Sequence, residues 1–401
     1  MKIEIKHRCS DFDSYRAARC KSLFNVESGC NFDLLAEIPI DDSGWCLGLV
    51  VGPSGSGKTS IGKKIFGEDA FYDFENWPVD KPIIDAIAPT IPFDDVTKAL
   101  AGVGLGSVPS WLRPFPVLSN GEKFRANLAR VICEAPDRVV IDEFTSVVDR
   151  QIAKVGAYAF SKNWKRVSKE KKCVLLSCHY DIIDWLEPDW VYDIATGKYQ
   201  GRGLWRRPEI ELEIYQTNWR FWPLFMPHHY LKAGPMPASK VYLGVVDGVP
   251  VAHVGVAPKS KGKSVETRGG RFVVMPEWQG LGLGLTFRNY VAQLQLDGAG
   301  VVAGRKCTHL STTSHPGLAR AYRKDPKWQQ ITCPLHGQNT AHTKNTAKRQ
   351  GKKKTGFEGF GGHFRAVQGF RYIGENPEPQ SIVTKFRGGR VRKNIAGRGK
   401  A

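Results

Sequence analysis

One glycine-rich segment constrains the fold of this chain more than any other feature. The residues from Gly52 to Thr59 read GPSGSGKT, and an apolar run from Trp45 to Val51 directly precedes them. This spacing is typical of a phosphate-binding loop that follows a buried strand and opens a helix. Its glycines let backbone N–H groups surround phosphates. The sequence therefore predicts an α/β fold that binds a nucleoside triphosphate.

Side chains of this loop and of the first helical turn are the expected ligands of the triphosphate. Lys58 is expected to neutralise the outer phosphates, and the Thr59 hydroxyl to ligate Mg²⁺. The residues predicted to bind the nucleotide are Gly52, Ser54, Gly55, Ser56, Gly57, Lys58, Thr59 and Ser60.

The length of the chain favours two domains. It has 401 residues, of which 41% are hydrophobic, and single cores rarely grow beyond about 250–300 residues. No apolar stretch follows the N-terminal charges, and nowhere do about 18 apolar residues run together. We therefore expect neither a signal peptide nor a membrane span, and a cytoplasmic location.

The charge is divided unevenly between the two halves. Residues 1–200 contain 25 Lys and Arg against 28 Asp and Glu, whereas residues 201–401 contain 33 against 11. Such a surplus favours a polyanionic partner, with nucleic acid first and an acidic membrane second. Much of it lies at 344–354 and 385–400, two glycine-containing segments typical of basic arms. Simple solubility is the alternative explanation.

Nine cysteines are scattered along the chain, an odd number in a large protein. This pattern favours reduced thiols over a disulfide framework. One cluster, formed by Cys307, His309, Cys333 and His336, imitates the ligand spacing of a zinc site, although its pairs are short and irregular. Zinc binding is therefore the weaker of two alternatives for these residues.

Two further motifs follow the phosphate-binding loop. The segment LSNGE at 118–122 precedes a helical pattern, so a serine-glycine turn is expected at a helix N-terminus, which favours anions. The apolar strand VVIDE at 139–143 ends in two carboxylates. Asp142 is suited to hold magnesium through water, and Glu143 to polarise the attacking water.

Two shorter signals complete the series. The segment SVVD at 146–149 predicts a turn, and the apolar run at 174–178 delivers His179 to the end of its strand. Because α/β sheets bind ligands at the carboxyl ends of their strands, both segments are expected beside the nucleotide.

In this order, GPSGSGKT, LSNGE, VVIDE, SVVD and the strand-borne His179 resemble the Walker A, signature, Walker B, D-loop and switch histidine of ABC-type ATPases. The resemblance implies ATP as the nucleotide, Glu143 as the catalytic base and His179 as the sensor of the γ-phosphate. In that family the signature of one subunit closes over the phosphate loop of another, which implies a homodimer with two shared ATP sites. The further residues that it adds to the site are Ser119, Gly121 and Asp149.

Two departures from that pattern bear on the role of the ATPase. Between Lys58 and Ser119 the chain has no glutamine, so the glutamine of the family's Q-loop is missing. The same segment is short for the helical subdomain that docks transporter subunits onto membrane partners. Both departures favour a soluble mechanochemical or regulatory ATPase over the ATP-binding subunit of a transporter, which stays an alternative.

The second half begins with a hairpin pattern. Residues 240–256 alternate around an Asp-Gly pair, which is typical of a tight turn between two strands. A strand at 271–275, the turn QGLGLG at 279–284 and an amphipathic helix at 285–296 follow. A glycine-rich turn between a strand and a helix is suited to bind a pyrophosphate.

This order of elements resembles the GNAT acyltransferase superfamily, in which a Q/R-x-x-G-x-G/A loop binds the pyrophosphate of acetyl-coenzyme A. The stretch at 365–372 also looks like the closing strands of that family. A purely structural glycine turn is the alternative. The residues that the resemblance assigns to acetyl-coenzyme A are Gln279, Gly280, Gly282 and Gly284.

Acyl transfer also requires proton transfers. A base must deprotonate the acceptor amine, and an acid must protonate the departing thiolate. Tyr322, on the helix expected after the fifth strand, is the candidate acid. His315, Glu277 and His253 are open alternatives for the base.

The two halves together resemble a family described as an ABC-type ATPase fused to a predicted acetyltransferase, and the segments 95–132 and 314–328 carry this likeness. The expected order is a P-loop ATPase domain at 1–204 with a mixed sheet and helices on both faces, an α+β GNAT-like domain at 205–380 with a basic insertion around 341–362, and a basic tail at 381–401.

The sequence thus predicts an ATPase coupled to an acetyl-CoA-dependent N-acyltransferase that acts on a base of DNA or tRNA, or on an amine bound to nucleic acid. A different class is an ATPase regulated by a domain that senses acyl-CoA and transfers nothing. The sequence does not identify the acyl group or its acceptor.

Overall fold

The computed structural model describes residues 2–8, 12, 14–24, 31–40, 44–167, 170–201, 203, 205–230, 234–262, 264–333, 367–374 and 391–392. The chain divides into two compact units. Unit 1 comprises residues 1–77 and 130–206, and unit 2 comprises residues 78–129 and 207–401.

Both units contain helices and strands. The helices are α1 (Tyr15–Phe24), α2 (Lys58–Phe66), α3 (Ile83–Ala86), α4 (Phe93–Gly102), α5 (Val108–Trp111), α6 (Asn120–Glu134), α7 (Arg150–Val167), α8 (Ile183–Leu186), α9 (Trp222–Phe225), α10 (Leu283–Leu296) and α11 (Pro316–Lys324). The strands are β1 (Lys2–Arg8), β2 (Asn31–Glu37), β3 (Leu47–Val51), β4 (Arg138–Ile141), β5 (Lys172–Ser177), β6 (Trp190–Asp193), β7 (Lys198–Gln200), β8 (Leu212–Thr217), β9 (Lys240–Val246), β10 (Val249–Lys261), β11 (Ser264–Val274), β12 (His309–Thr313), β13 (Trp328–Thr332), β14 (Gln368–Tyr372) and β15 (Val391–Arg392).

Unit 1 is built on a five-stranded sheet with the order β4-β5-β3-β6-β7. The first four strands are parallel, and β7 is antiparallel to β6, which makes the sheet mixed. All five residues of β3 are buried, so both faces of this central strand are covered, as is usual for parallel sheets between layers of helices. Unit 1 therefore has the mixed α/β architecture that the sequence predicts.

A second, two-stranded sheet in unit 1 pairs β1 with β2. Its buried residues Ile3 and Ile5 share a hydrophobic core with Ile61 of α2 and with Val140 and Leu176 of the five-stranded sheet. Burial of aliphatic side chains of this size stabilises the folded state by about 1.5–3 kcal/mol each. This core fixes α2, and with it the end of the glycine-rich loop, against the sheet.

Unit 2 is built on an eight-stranded sheet with the order β13-β14-β12-β11-β10-β9-β8-β15. The predicted hairpin is confirmed: β9 and β10 are antiparallel, and the turn residues Asp247 and Gly248 have φ angles of 50° and 77°. Both positive angles suit the tight turn that an Asp-Gly pair favours.

In the sheet of unit 2, the neighbouring strands β11 and β12 are paired over only part of their length. Parallel pairing joins β11 and β12 at only three positions, from Thr267 opposite His309 to Gly269 opposite Ser311. Beyond Gly269, β11 continues to Val274 without pairing to β12. The two strands therefore separate toward their carboxyl ends, where the QGLGLG turn begins.

The grouping of the chain differs from the expected domain order in one respect. The passage from unit 1 to unit 2 after Arg206 lies close to the expected boundary at 204, but the segment 78–129 groups with the second half of the chain. Contacts far apart in sequence decide this grouping, and the expected domain limits stay a prediction.

The strongly basic segments fall mainly outside the part of the chain that the structure describes. This holds for the expected insertion around 341–362 and for the tail at 381–401, apart from Val391 and Arg392. Within the described residues, no helix is both long and apolar enough to cross a membrane.

Candidate functional site

The glycine-rich loop of unit 1 connects β3 to α2. Gly55 and Gly57 have φ angles of 75° and 92°, which side-chain-bearing residues rarely adopt. A Cβ atom on Gly52 would lie 2.8 Å from the Ser56 Oγ, so the loop closes tightly on itself. Because α2 begins at Lys58, the N-terminus of this helix would face an anion bound at the loop.

Two polar side chains of the loop are suited to a phosphate. The Lys58 ammonium group donates to the carbonyl oxygens of Gly52 (3.0 Å) and Pro53 (2.7 Å) at the loop. The Ser56 hydroxyl is buried and has no hydrogen-bond partner among the described residues. Buried polar groups are rarely left unpaired, so an unsatisfied hydroxyl here indicates a place for a ligand.

Thr59 and Asp142 form a pair that fits Mg²⁺. Thr59 lies in the first turn of α2, and Asp142 directly follows β4. The Thr59 hydroxyl donates to the Asp142 Oδ2 at 2.7 Å. Magnesium is usually held by few protein oxygens, together with water and substrate phosphates. A hydroxyl and a carboxylate beside the glycine-rich loop are compatible with that requirement, and metal binding by the pair stays a prediction.

The turn after β4 presents a second carboxylate. Glu143 is exposed, has a φ angle of 48°, and donates its backbone N–H to the Asp142 Oδ1 at 2.8 Å. Ser146 donates to the Glu143 carbonyl oxygen from both its N–H and its hydroxyl. The carboxylate itself is hydrogen-bonded to no described residue. The backbone of the turn is therefore held firmly while the carboxylate stays available to water.

His179 follows β5 at the same edge of the sheet. Its Nδ1 lies 3.0 Å from the Thr145 hydroxyl, and its backbone N–H donates to the Ser177 hydroxyl at 3.1 Å. No hydrogen bond joins Nε2 to any described residue. Thr145, with a φ angle of 74°, is a residue that the sequence reasoning missed. Its position between VVIDE and SVVD was the only available signal.

The surroundings of His179, above all its burial, favour the neutral imidazole. Burial and the Arg150 guanidinium lower the pKa of His179, and the Asp181 carboxylate opposes this shift in part. Arg150 donates to Asp181 through both Nε and Nη2. This ion pair lies beside the histidine, and because the pKa is lowered, chiefly by burial, the neutral form of the ring predominates at neutral pH.

Asp149, the predicted D-loop residue, accepts a hydrogen bond at the start of α7. It is exposed and precedes α7, where its Oδ1 accepts from the Gln151 backbone N–H at 2.8 Å. Ser54 is exposed on the loop, and Ser60 lies in the first turn of α2. Nucleotide contacts for these three residues stay predictions.

The signature residues Ser119 and Gly121 belong to unit 2 and lie at the start of α6. Glu122 accepts from both the N–H and the hydroxyl of Ser119 at 2.9 Å, which forms a capping box. Although burial raises it, the pKa of Glu122 is held below its usual value by hydrogen bonds from Ser110 and Ser119. The helix start is therefore well defined, with Ser119 exposed to solvent.

The second glycine-rich turn connects β11 to α10. Gly280 and Gly282 have φ angles of 99° and 85°, and a Cβ atom on Gly284 would lie 3.1 Å from the ring of Phe272. The Gln279 Oε1 accepts from the Gly106 N–H at 3.0 Å, so this side chain is already bound to the protein. The turn offers backbone N–H groups at the start of a 14-residue helix.

The candidate acid Tyr322 lies in the core of unit 2. Its side chain is fully buried, and its ring centroid lies 4.2 Å from that of Trp328. Its hydroxyl accepts from the Arg288 Nε at 3.0 Å and from the Ser311 hydroxyl at 3.1 Å. These contacts give Tyr322 a packing role, and the role of acid stays a prediction.

The three candidate bases differ in their surroundings. His315 donates from Nε2 to the Gly106 carbonyl oxygen at 2.8 Å and accepts at Nδ1 from the Leu318 N–H, so both ring nitrogens are occupied. Burial lowers the pKa of His253 to about 4, deep among aromatic rings. The Glu277 carboxylate is hydrogen-bonded to no described residue.

The structure gives no support to a zinc site at the cysteine-histidine cluster. His309 is buried, and both of its ring nitrogens are engaged: Nδ1 lies 3.0 Å from the Thr267 hydroxyl, and Nε2 lies 3.3 Å from the Arg288 Nη2. The positive charge of Arg288 would repel a metal ion. Cys333 is exposed, and His336 lies outside the described residues. The described part of the chain contains no group of three or more His, Cys, Asp or Glu side chains that could hold a metal.

Comparisons with known proteins give structural neighbours only. No protein-family model matches the chain, and no curated protein matches it in sequence. A dimeric bacterial ABC transporter cassette is 12% identical over 43% of this chain and 93% of its own, with a TM-score of 0.34. A cobalt transport ATP-binding protein is 17% identical over 48% of this chain and 80% of its own, with a TM-score of 0.33. These similarities are weak, so function is inferred from the residues described above.

Proposed function

We propose that this protein hydrolyses ATP in the manner of an ABC-type ATPase. The observation that carries the proposal is the set of side chains around one phosphate-binding loop: Lys58, the pair of Thr59 and Asp142, Glu143, and His179 with its Thr145 contact. They come from α2 and from the ends of two neighbouring parallel strands, so the sheet brings them to one edge.

Each group has a distinct task in this reaction. Mg²⁺ held by Thr59 and Asp142 would offset the charge of the outer phosphates. The Glu143 carboxylate would accept a proton from the attacking water. With the Thr145 hydroxyl donating to Nδ1, the proton of His179 lies on Nε2, where it can donate to a γ-phosphate oxygen.

The ATP site is proposed to form between two copies of the chain. This follows from the resemblance of LSNGE to a signature that acts on the phosphate loop of a second subunit. The exposed Ser119 at the N-terminus of the 15-residue helix α6 is suited to an anion presented by another molecule.

The Lys58→Ala variant tests the ATPase proposal. We expect hydrolysis to fall by about 100- to 1,000-fold, the scale for removing one group that stabilises transition-state charge. Binding of acetyl-coenzyme A to unit 2 should survive the change. Hydrolysis at the wild-type rate in this variant would contradict the proposed site.

We further propose that unit 2 is an acetyl-CoA-dependent N-acyltransferase that acts on nucleic acid or on an amine bound to it. The QGLGLG turn at the start of α10 is suited to a pyrophosphate, and the gap between β11 and β12 begins after Gly269 and opens toward this turn. Residues 201–401 contain 33 basic and 11 acidic residues, and this surplus of positive charge supports an anionic partner.

A second candidate is a domain that binds acyl-CoA and regulates the ATPase without transfer. The observation that favours it is the engagement of Tyr322 and His315 in hydrogen bonds within the protein. Release of free thiol from acetyl-coenzyme A in the presence of tRNA, DNA or a basic protein would support transfer. No release with any acceptor, together with coenzyme-dependent hydrolysis of ATP, would support the regulatory domain.

The nucleic-acid part of the proposal has its own test. Nucleic acid that co-purifies with the protein at low salt should carry an acyl mass shift, detectable by mass spectrometry. Protein that is free of nucleic acid under these conditions, and that does not bind tRNA or DNA, would contradict it.

A further inference from the structure

A turn of the signature-bearing segment lies directly against the second glycine-rich turn. Residues 104–106 follow α4, and the turn that they contact begins after β11; both belong to unit 2. The Gly106 N–H donates to the Gln279 Oε1 at 3.0 Å, and the Gly106 carbonyl oxygen accepts from the His315 Nε2 at 2.8 Å. One residue is thus held from both sides by the second half of the chain.

The approach of the two backbones is close. Gly104 has a φ angle of 84°, and a Cβ atom on it would lie 2.3 Å from the Gln279 carbonyl oxygen. Only glycine fits such a contact without displacing the neighbouring backbone. A ligand that shifts Gln279 therefore also shifts the 104–106 turn.

Arg125 of α6 completes the contact. Its Nη1 donates to the carbonyl oxygens of Gly104 at 2.6 Å and of Pro276, at the beginning of the second turn. The side chain is only 3% exposed, yet its Nε and Nη2 have no hydrogen-bond partner among the described residues. A buried guanidinium with two unsatisfied nitrogens beside a pyrophosphate-binding turn is suited to an anionic ligand.

The same helix carries the ATPase signature. Arg125 lies six residues after Ser119, a distance of about 9 Å along a helix axis. Packed helices move largely as rigid elements, so a displacement at Arg125 reaches the start of α6.

We infer that Arg125, Gly104, Gly106 and Gln279 form a coupling element through which acyl-CoA bound at the second turn controls Ser119, and thereby ATP binding and hydrolysis. The inference rests on the proposed function of both units, but it does not require acyl transfer. Arg125 acts here as a positioning residue for the signature. Because coupling between two ligands is reciprocal, ATP must change the affinity for acyl-CoA by the same factor.

The test uses the full chain with Glu143→Gln, which keeps ATP intact during the measurement. The Kd of acetyl-coenzyme A is measured with and without ATP and Mg²⁺, and the Kd of ATP with and without acetyl-coenzyme A. We expect each ligand to change the Kd of the other by the same factor, about fivefold or more. In Arg125→Met, acetyl-coenzyme A should bind more weakly because a cation beside the turn is lost, ATP should still bind, and the factor should fall to one.

Two further variants keep the result interpretable. Gly106→Ala places a Cβ atom 2.6 Å from the Gln279 Oε1, so it should reduce the factor even if Arg125→Met does not fold. Arg323→Met, the same substitution at an exposed arginine that contacts Gln330 and Gln368, should leave the factor unchanged.

The outcomes separate the coupling from the functions on which it rests. Binding of both ligands without mutual effect would overturn the coupling alone, as would an unchanged factor in Arg125→Met and Gly106→Ala. Failure of acetyl-coenzyme A to bind would overturn the proposed function of unit 2, and the coupling with it.

Discussion

The two glycine-rich turns of this protein share a strand–turn–helix arrangement and differ in the side chains that surround them. Each follows a strand, contains two glycines with positive φ angles and opens a helix. Around the turn of unit 1 lie Lys58, the Thr59 hydroxyl, which is hydrogen-bonded to the Asp142 carboxylate, and Glu143, whose carboxylate is hydrogen-bonded to no described residue. At the turn of unit 2, the side chain of Gln279 is bound to the backbone at Gly106 and Val274.

This difference separates anion binding from chemistry. Glycines and the start of a helix supply N–H groups that bind phosphates, and both turns have them. Bond cleavage also needs charged groups placed where charge develops, and those come from neighbouring strands. At the turn of unit 1 such groups come from the ends of β4 and β5, whereas the cation beside the turn of unit 2, Arg125, donates to the carbonyl oxygens of Gly104 and Pro276. We therefore propose hydrolysis of ATP for unit 1, and for unit 2 the binding of an anionic ligand, with or without acyl transfer.

The largest expected effect tests the chemical side of this comparison. Glu143→Gln removes the proposed base while keeping the shape of the side chain, so hydrolysis should fall by about 100- to 10,000-fold. ATP should still bind, because Lys58 and Thr59 are unchanged. The control Glu75→Gln alters an exposed glutamate of unit 1 and should hydrolyse ATP normally. A normal rate in Glu143→Gln would remove the distinction between the two turns.

A smaller effect is expected from disrupting the contact between Gly104 and Gln279 at the second turn. Gly104→Ala adds a Cβ atom at a positive φ angle and 2.3 Å from the Gln279 carbonyl oxygen, so the free energy of unfolding should fall by about 1–3 kcal/mol. Urea unfolding measures this. Gly304→Ala is the matched control, because it also adds a Cβ atom at a positive φ angle, 71°, but that atom would meet nothing within 4 Å. Equal stabilities of the two variants would show that the contact is loose.

The orientation of His179 sharpens the account of unit 1. Thr145→Val keeps the shape of the side chain but removes the hydroxyl at Nδ1, so the rate of hydrolysis should fall by up to about tenfold, the scale of one hydrogen bond. Thr145→Ser restores the hydroxyl and should recover most of the rate. If the valine and serine variants hydrolyse ATP equally, the Thr145 contact has no part in positioning the histidine.

The smallest expected effect is a shift of the pH profile. A lowered pKa keeps His179 neutral at neutral pH, so the rate should fall only as the pH drops through that pKa. Arg150→Met removes one cause of the lowering and leaves the Asp181 carboxylate, which raises the pKa. The acidic fall in rate should therefore begin at a higher pH than in the wild type. Lys162→Met, on the same helix, should leave the profile in place.

Local sequence was enough to predict the strand, loop and helix start of the proposed phosphate-binding site. The chemistry of phosphate and magnesium fixes the spacing of glycines, Lys58 and Thr59 within eight residues, and an apolar strand before two carboxylates places Asp142 at the same edge. The hairpin at Asp247 and Gly248 was predictable for a similar reason, because two adjacent residues decide the turn.

Other features depend on contacts between distant parts of the chain. The orientation of His179 by Thr145, the packing of Tyr322 into a core and the grouping of residues 78–129 with the second half all arise this way. A tyrosine at helical spacing reads the same in sequence whether its hydroxyl faces substrate or, as here, Arg288 and Ser311. Tertiary contacts decide between these possibilities.

The central claim is that the loop of one copy and the signature of another form each ATP site. Lys58→Ala and Ser119→Arg should each hydrolyse ATP very slowly when pure. In an equal mixture, half of the dimers would contain one copy of each, and each mixed dimer would have one intact site, so about a quarter of the wild-type rate should return. No recovery in the mixture, with both variants folded and forming dimers, would contradict a shared site.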